Sequence, residues 1–295
     1  MEPETDPFLI PRDPGEERAN EVVREFLIRA SPPAAIFRQG GSDGGYALVV
    51  PRMRGERLLT VPGVNEADFH FHGNSGTTSA RLADFIAGAV QESGADHLKL
   101  PLLTNPQASL LAAQLSERLP EWRLSTALSA VCPTAAGVAT EPGILRKAIL
   151  RAEREGLLVE ASSTFPAEEI IALHRQRWGN NRGDSFFGML QALLSGGLAE
   201  LVTARTRDGR LAAAQLDILG TKTRHCYYVA ADIEQASGGG TAVLGIQWRR
   251  FLLSSSAVYS FGRGSERYKY QFATSCRELF EIRGFYAPRP LLEEG

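Results

Sequence analysis

Gln235-Ala-Ser-Gly238-Gly239-Gly240-Thr241 stands between strand-like sequence and an apolar helix, and its reading decides the fold. Before it, Glu200 to Arg205, Arg210 to Leu219 and Arg224 to Ala230 have strand composition. Asp208-Gly209 and Gly220-Thr221 are turn dipeptides between them, so the three runs form a meander. After it, Thr241 to Leu253 has helical spacing, with Val243, Leu244, Ile246, Phe251 and Leu252 as its core face. Three glycines opening a helix leave the first backbone N–H groups unobstructed and partly positive. That is an anion site suited to a pyrophosphate.

Working outward, the rest of the second half is regular. Ile144 to Glu155 reads as a basic helix carrying Arg146, Lys147, Arg151 and Arg154, with Glu153 and Glu155 diluting the charge. This pattern suits a phosphate contact or a solvated face. Leu157 to Ala161 is a strand. Pro166 to Trp178 is a helix with proline in its first turn and Glu168 and Glu169 near its positive end. Ser185 to Leu194 is a helix and Ala257 to Phe261 a strand, with a polar loop from Arg263-Gly264 to Tyr268-Lys269-Tyr270.

The first half is also mixed. Residues 1–15 read as a loosely held arm rich in proline and acid. Glu16 to Ala30, Ser79 to Glu92 and Pro106 to Leu119 have helical spacing. Ala34 to Phe37, Tyr46 to Val50, Leu58 to Val61, His97 to Leu102 and Trp122 to Val131 read as strands. Pro133 to Pro142 is small and flexible in composition and marks the expected boundary between residues 16–140 and 144–290. The expected fold class is α/β, in α+β layers, in two domains.

With 32 basic and 34 acidic residues the net charge is −2, which argues against a nonspecific nucleic-acid or membrane footprint. Only Lys99, Lys147, Lys222 and Lys269 are lysines, so arginine is the usual cation. Cys132, Cys226 and Cys276 fit neither a disulfide framework nor a metal knuckle, and read as buried apolar residues in a reducing compartment. No apolar run approaches the roughly 20 residues of a membrane span. The expected location is the cytoplasm.

Gln235-x-x-Gly238-x-Gly240 resembles the Gln/Arg-x-x-Gly-x-Gly/Ala phosphate turn of the GNAT superfamily of N-acetyltransferases. Its order, strands first and phosphate loop after, resembles acyl-coenzyme A transferases rather than dinucleotide dehydrogenases. The block Tyr259-Ser-Phe-Gly-Arg263-Gly264-Ser-Glu266-Arg-Tyr268-Lys269-Tyr270 is similar to one in the cellulose-biosynthesis (CelD-like) and FemAB-related group. Leu173-His174-Arg-Gln-Arg177-Trp178 and Asp208-Gly209-Arg-Leu-Ala-Ala-Ala214 are similar to two more of its motifs. Ser260 stands where the block usually has aspartate. The resemblance covers about residues 144–285 and implies two GNAT-like domains, the first degenerate. The second would carry the β-meander, glycine turn and helix of the acyl-coenzyme A site.

Acyl transfer from a thioester needs a deprotonated nucleophile, a stabilised oxyanion and a protonated leaving thiolate. By the resemblance, backbone N–H groups near Tyr228 and Val229 face the thioester carbonyl where their strand splays from its neighbour. Gln235, Gly238, Gly239, Gly240 and Thr241 would hold the phosphates of acetyl- or another acyl-coenzyme A. Tyr268 is the candidate for the sulfur, and Glu266 and His174 compete as general base. Trp178, Arg263 and Lys269 are candidate substrate contacts, Lys269 for a phosphate or carboxylate. Against each stands a structural alternative: a packed histidine, surface ion pairs for Glu266, an exposed charge for Lys269.

In Ala67-Asp68-Phe69-His70-Phe71-His72, alternation puts both histidines on one face of a strand, but no third strong ligand is near, and no metal is expected. The sequence thus points to an acyltransferase for a sugar, a polysaccharide precursor or another small or carrier-bound acceptor, without DNA or membrane insertion. The acceptor would lie in a groove shaped by the first domain. Its rivals are a FemAB-like transferase drawing on aminoacyl-tRNA and a non-catalytic GNAT-like binding module.

Overall fold

The computed structural model describes residues 14–30, 33–39, 46–51, 57–61, 78–180, 182–232, 238–264 and 266–287. Residues 1–13 of the expected arm, the Asp68–His72 run and Gln235 lie outside the described residues, while Pro14 and Gly15 of that arm are helical. The chain forms two compact units, and neither is a single stretch. The first takes in Leu27–Val131 and Glu278–Gly295, the second Asp13–Phe26 and Cys132–Arg277.

In the first unit the strands β1 (Ala35–Gln39), β2 (Tyr46–Val50), β3 (Leu58–Thr60), β4 (His97–Leu103) and β11 (Ser275–Tyr286) lie in that order. β3 and β4 are parallel and the other pairs antiparallel. Helix α2 (Ser79–Ser93) packs on β1, β2 and β3 and against α3 (Asn105–Arg118). It puts Leu82, Ile86 and Val90 into the core, as the spacing predicts. Thr78 caps it through its side-chain oxygen, and Gly94 ends it in the left-handed region at φ 59°.

The second unit orders its strands from the Cys132–Ala136 end of β5 (Trp122–Ala136) through β10 (Val258–Ser260), β9 (Thr223–Ala231), β8 (Leu211–Leu219) and β7 (Ala199–Arg205) to β6 (Leu158–Ser162). The meander β7-β8-β9 is antiparallel, as Asp208-Gly209 and Gly220-Thr221 require. β10 runs parallel to β9 and antiparallel to β5. Leu211–Ile218 is buried throughout, which its run of Ala, Leu and Ile makes possible. Helix α7 (Gly239–Leu253) packs on this sheet and against α4 (Gly143–Arg154). A Cβ at Gly245 would stand 2.9 Å from Ile149 Cδ1 and 3.3 Å from the Leu145 carbonyl oxygen, so the two helices cross where one has no side chain. Arg146, Lys147, Arg151 and Arg154 of α4 are exposed, the solvated face.

Three features depart from the sequence reading. Helix α1 (Pro14–Ala30) joins the second unit for most of its length, with Glu16 Oε1 2.8 Å from His225 Nε2. The polar loop after Arg263 contains helix α8 (Arg267–Phe272), and β11 follows it. Cys132 and Cys226 are buried, but Cys276 is exposed. Among the described residues no helix is long and apolar enough to cross a membrane.

Candidate functional site

The site is built where β9 parts from β10. Their parallel register pairs Val258 with Thr223, Tyr259 with Arg224 and Ser260 with His225, and ends there. The rest of β9, Cys226 to Ala231, runs on without β10 beside it. Beyond this splay the strand neighbour of β9 is β8. At the same place the β8–β9 register slips, with Leu216 opposite Tyr228 and Asp217 opposite Cys226, so Tyr227 is the extra residue of a bulge.

A cavity of about 400 Å³ opens at this splay. Val229, Ala230 and Ala231 supply the β9 wall, and Gly240, Thr241 and Leu244 the start of α7. Glu266, Tyr268 and Phe272 close it from α8 and its cap, and Arg177 and Trp178 from the end of α5 (Ala167–Trp178). The Arg177 guanidinium lies 4.7 Å from the Trp178 ring centroid, and Trp178 is 44% exposed, so this pair forms an open rim.

Gly238 caps α7 at φ 101°, a conformation that L side chains rarely adopt, and no side chain caps the helix. The Ala242 N–H bonds back to the Gly238 carbonyl, so the N–H groups of the residues between begin the helix without an intrahelical acceptor. A Cβ on Gly240 would lie 3.1 Å from that of Ala231, which is how closely the helix start approaches the strand edge. Asp232 anchors the strand's exit: its N–H bonds to the Ala212 carbonyl, and its buried carboxylate meets Arg210 Nη1 at 2.7 Å.

Tyr268 packs against the Trp248, Tyr259, Phe261 and Phe272 core. Burial pushes its hydroxyl well above the usual phenol range, helped by the nearby Cys226 and Glu266. It therefore carries its proton at neutral pH and can donate. Glu266 is about half exposed and lies 3.0 Å from Lys269 Nζ. Lys269 itself is buried and also bonds to the Arg263 carbonyl.

Of the residues expected from sequence, Val229, Gly240, Thr241, Trp178, Glu266 and Tyr268 share this cavity. Six described ones do not line it: Gly238 and Gly239, at the cap and first residue of α7, and His174, Tyr228, Lys269 and Arg263. His174 is buried with Phe186, Phe187 and Tyr228, its ring stacked 5.9 Å from that of Tyr228. The Tyr228 side chain turns to the same cluster, where burial raises its hydroxyl. Lys269 holds the loop from Arg263 to Glu266 together, so neither a free substrate contact nor an exposed charge describes it. Arg263 contributes its carbonyl to that clasp. Ser260, in place of an aspartate, uses its Oγ to accept from the Gly262 N–H at 3.4 Å.

Sequence reasoning missed a buried polar network behind the cavity. Asp217 accepts from Gln215 Nε2 at 2.8 Å, Arg224 Nε at 2.9 Å and the Tyr259 hydroxyl at 2.9 Å. Arg224 also reaches Gln247 and Glu200, and Arg250 bonds to both oxygens of Glu200. Gln215 belongs to this network and to the cavity wall. The available signal was Gln215 and Asp217, two polar residues on one face of an otherwise apolar strand. Among the described residues no group of three or more His, Cys, Asp or Glu could hold a metal.

Residues 144–270 match the acetyltransferase (GNAT) domain family. No curated protein matches the chain. Three solved structures share the fold. The C-terminal domain (DUF2156) assigned to a lysylphosphatidylglycerol synthetase of Agrobacterium fabrum matches at TM-score 0.61 and 13% identity, over 91% of each chain. L-PGS from Bacillus licheniformis matches at 0.60 and 13%, over 96% of this chain and 95% of its own. FemX matches at 0.60 and 12%, over 88% and 90%. At such identities the likeness is one of fold.

Proposed function

We propose that the GNAT domain transfers an acyl group from acyl-coenzyme A to an amine or hydroxyl of a small or carrier-bound acceptor, such as a sugar or polysaccharide precursor. One observation carries this reading: the open edge of β9, the glycine-capped start of α7, and Tyr268 with Glu266 all line a single cavity. The chemistry follows from what each group offers. The N–H groups from Gly239 to Thr241 bind phosphate. A β9 N–H near Tyr228 and Val229 donates a hydrogen bond to the carbonyl oxygen as it gains charge. Glu266 takes the proton from the attacking amine or hydroxyl, the C–S bond breaks, and Tyr268 returns a proton to the thiolate. His174, enclosed by aromatic rings, is the weaker candidate for the base.

A second reading has its own support. The fold matches FemX and lysylphosphatidylglycerol synthetases over about nine-tenths of each chain. An aminoacyl group delivered by tRNA is therefore the alternative donor, and one of the acceptors in this fold is a lipid by its enzyme's name.

The experiment that separates them offers both donors to the full-length protein. Acyl-coenzyme A should bind in a way that a Thr241→Asp change abolishes, because the new carboxylate repels phosphate at the helix start. Transfer from aminoacyl-tRNA with no binding of any acyl-coenzyme A would overturn the first reading in favour of the second.

A further inference from the structure

Gln215 is 1% exposed, yet it is the β8 residue that lines the cavity. Its side-chain amide nitrogen is committed inside the protein, 2.8 Å from Asp217 Oδ1 and 2.8 Å from the Tyr259 hydroxyl. That hydroxyl donates onward to Asp217 Oδ2. Turning the amide over would set its carbonyl oxygen against a carboxylate oxygen, so electrostatics fixes its orientation. The carbonyl oxygen, Oε1, is thereby directed away from Asp217, and no described residue donates a hydrogen bond to it.

In register, Gln215 stands directly opposite Val229. Such cross-strand neighbours have Cβ atoms about 4.5–5.5 Å apart. The oriented acceptor is thus beside the strand edge to which the thioester carbonyl is assigned above. An acyl group with nothing to donate would bury Oε1 without a partner. One with an N–H or O–H would satisfy it, and the cost of an unmet buried acceptor is what makes such a site selective.

We propose that Gln215 selects the acyl group, favouring one that carries its own hydrogen-bond donor beside the carbonyl, a hydroxyacyl or aminoacyl group, over a plain alkanoyl group of the same size. Asp217 and Tyr259 are positioning residues that decide which end of the amide faces the ligand. The inference rests on the acyl-coenzyme A reading of the cavity.

The test is calorimetric titration of the full chain with glycolyl-, glycyl- and propionyl-coenzyme A, which differ only in carrying a hydroxyl, an ammonium or a methyl at one position. The wild type should bind the glycolyl or glycyl thioester about tenfold or more tightly than propionyl, and the two arms tell hydroxyl from ammonium. In Gln215→Met that ratio should fall to near one while propionyl affinity holds or rises. Tyr259→Phe, which loosens the amide without removing it, should lower the ratio and leave propionyl affinity unchanged. It decides the matter if Gln215→Met does not fold.

Equal binding of all three thioesters by the wild type, or an unchanged ratio in the variants, overturns the inference while leaving the acyl-coenzyme A reading intact. Binding of none of them overturns that reading and this inference with it.

Discussion

Asp217 and Arg224 form an ion pair from which solvent is excluded: Arg224 Nε donates to Asp217 Oδ2 at 2.9 Å, with the two side chains 0% and 3% exposed. Burial pushes the Asp217 carboxyl up, against the pull of Arg224 and its other donors. All three side-chain partners present donors, the pattern that a carboxylate requires. Removing one partner strands the other in the core. Arg224→Met should cost about 3–5 kcal/mol in urea unfolding, and pairing it with Asp217→Leu should recover much of the loss. A loss below about 1 kcal/mol in the single variant would contradict the buried-pair account.

Glu200 sets an acid limit on stability. Hydrogen bonds from Arg250, and then Arg224, outweigh burial and hold its pKa down to about 2, from 4.5. A depressed carboxylate contributes above its unfolded value and loses that contribution as pH falls through 4.5 toward 2. With the side chain 26% exposed, the pairing is worth about 2 kcal/mol at neutral pH. Stability measured from pH 6 to pH 2 should therefore fall less steeply in Glu200→Gln than in the wild type. Parallel curves would remove Glu200 from the account.

In the proposed mechanism Tyr268 and Glu266 carry the proton transfers, with His174 the weaker candidate for the base. Tyr268→Phe and Glu266→Gln should each lower turnover about 10²-fold with acyl-coenzyme A affinity unchanged. His174→Ala opens a space among Phe186, Phe187 and Tyr228, so its effect should appear first in the melting temperature. If His174→Ala abolishes turnover in a fully stable protein, the base has been misassigned.

Gly245 permits the α4–α7 crossing. Gly245→Leu should destabilise by about 1–3 kcal/mol through overpacking against Ile149. Urea unfolding of the variant checks this, and an unchanged midpoint would contradict it.

Much of this was legible in the sequence because hydrophobic period and turn chemistry act locally. Tyr46–Val50 and Ser79–Ser93 declare themselves by alternation and by spacing, and the three glycines mark the start of α7. Helix α8 was hidden because its six residues are too few for a helical period to show. Strand β11 was hidden by charge: Glu281 is 3% exposed, paired with Lys99 and Arg283, and a buried carboxylate looks like a surface one until its partners are placed. The docking of α1 depends on a pair 209 residues apart in sequence, Glu16 and His225. In the candidate site, motif order pointed to Gly240, Thr241, Glu266 and Tyr268, which share the cavity. Gln215 was missed because its role comes from Asp217 and Tyr259, which only the fold brings to it.

In the proposed function the start of α7 holds the phosphates of acyl-coenzyme A. Thermal unfolding with and without acetyl-coenzyme A, in the wild type and in Thr241→Asp, tests it most directly. At about 100 times its dissociation constant, a ligand specific to the folded state adds roughly 2.7 kcal/mol. A clear rise in melting temperature is expected for the wild type and none for the variant, whose added carboxylate suits a helix N-terminus and should not unfold it. No rise in the wild type, or an equal rise in both, would contradict it.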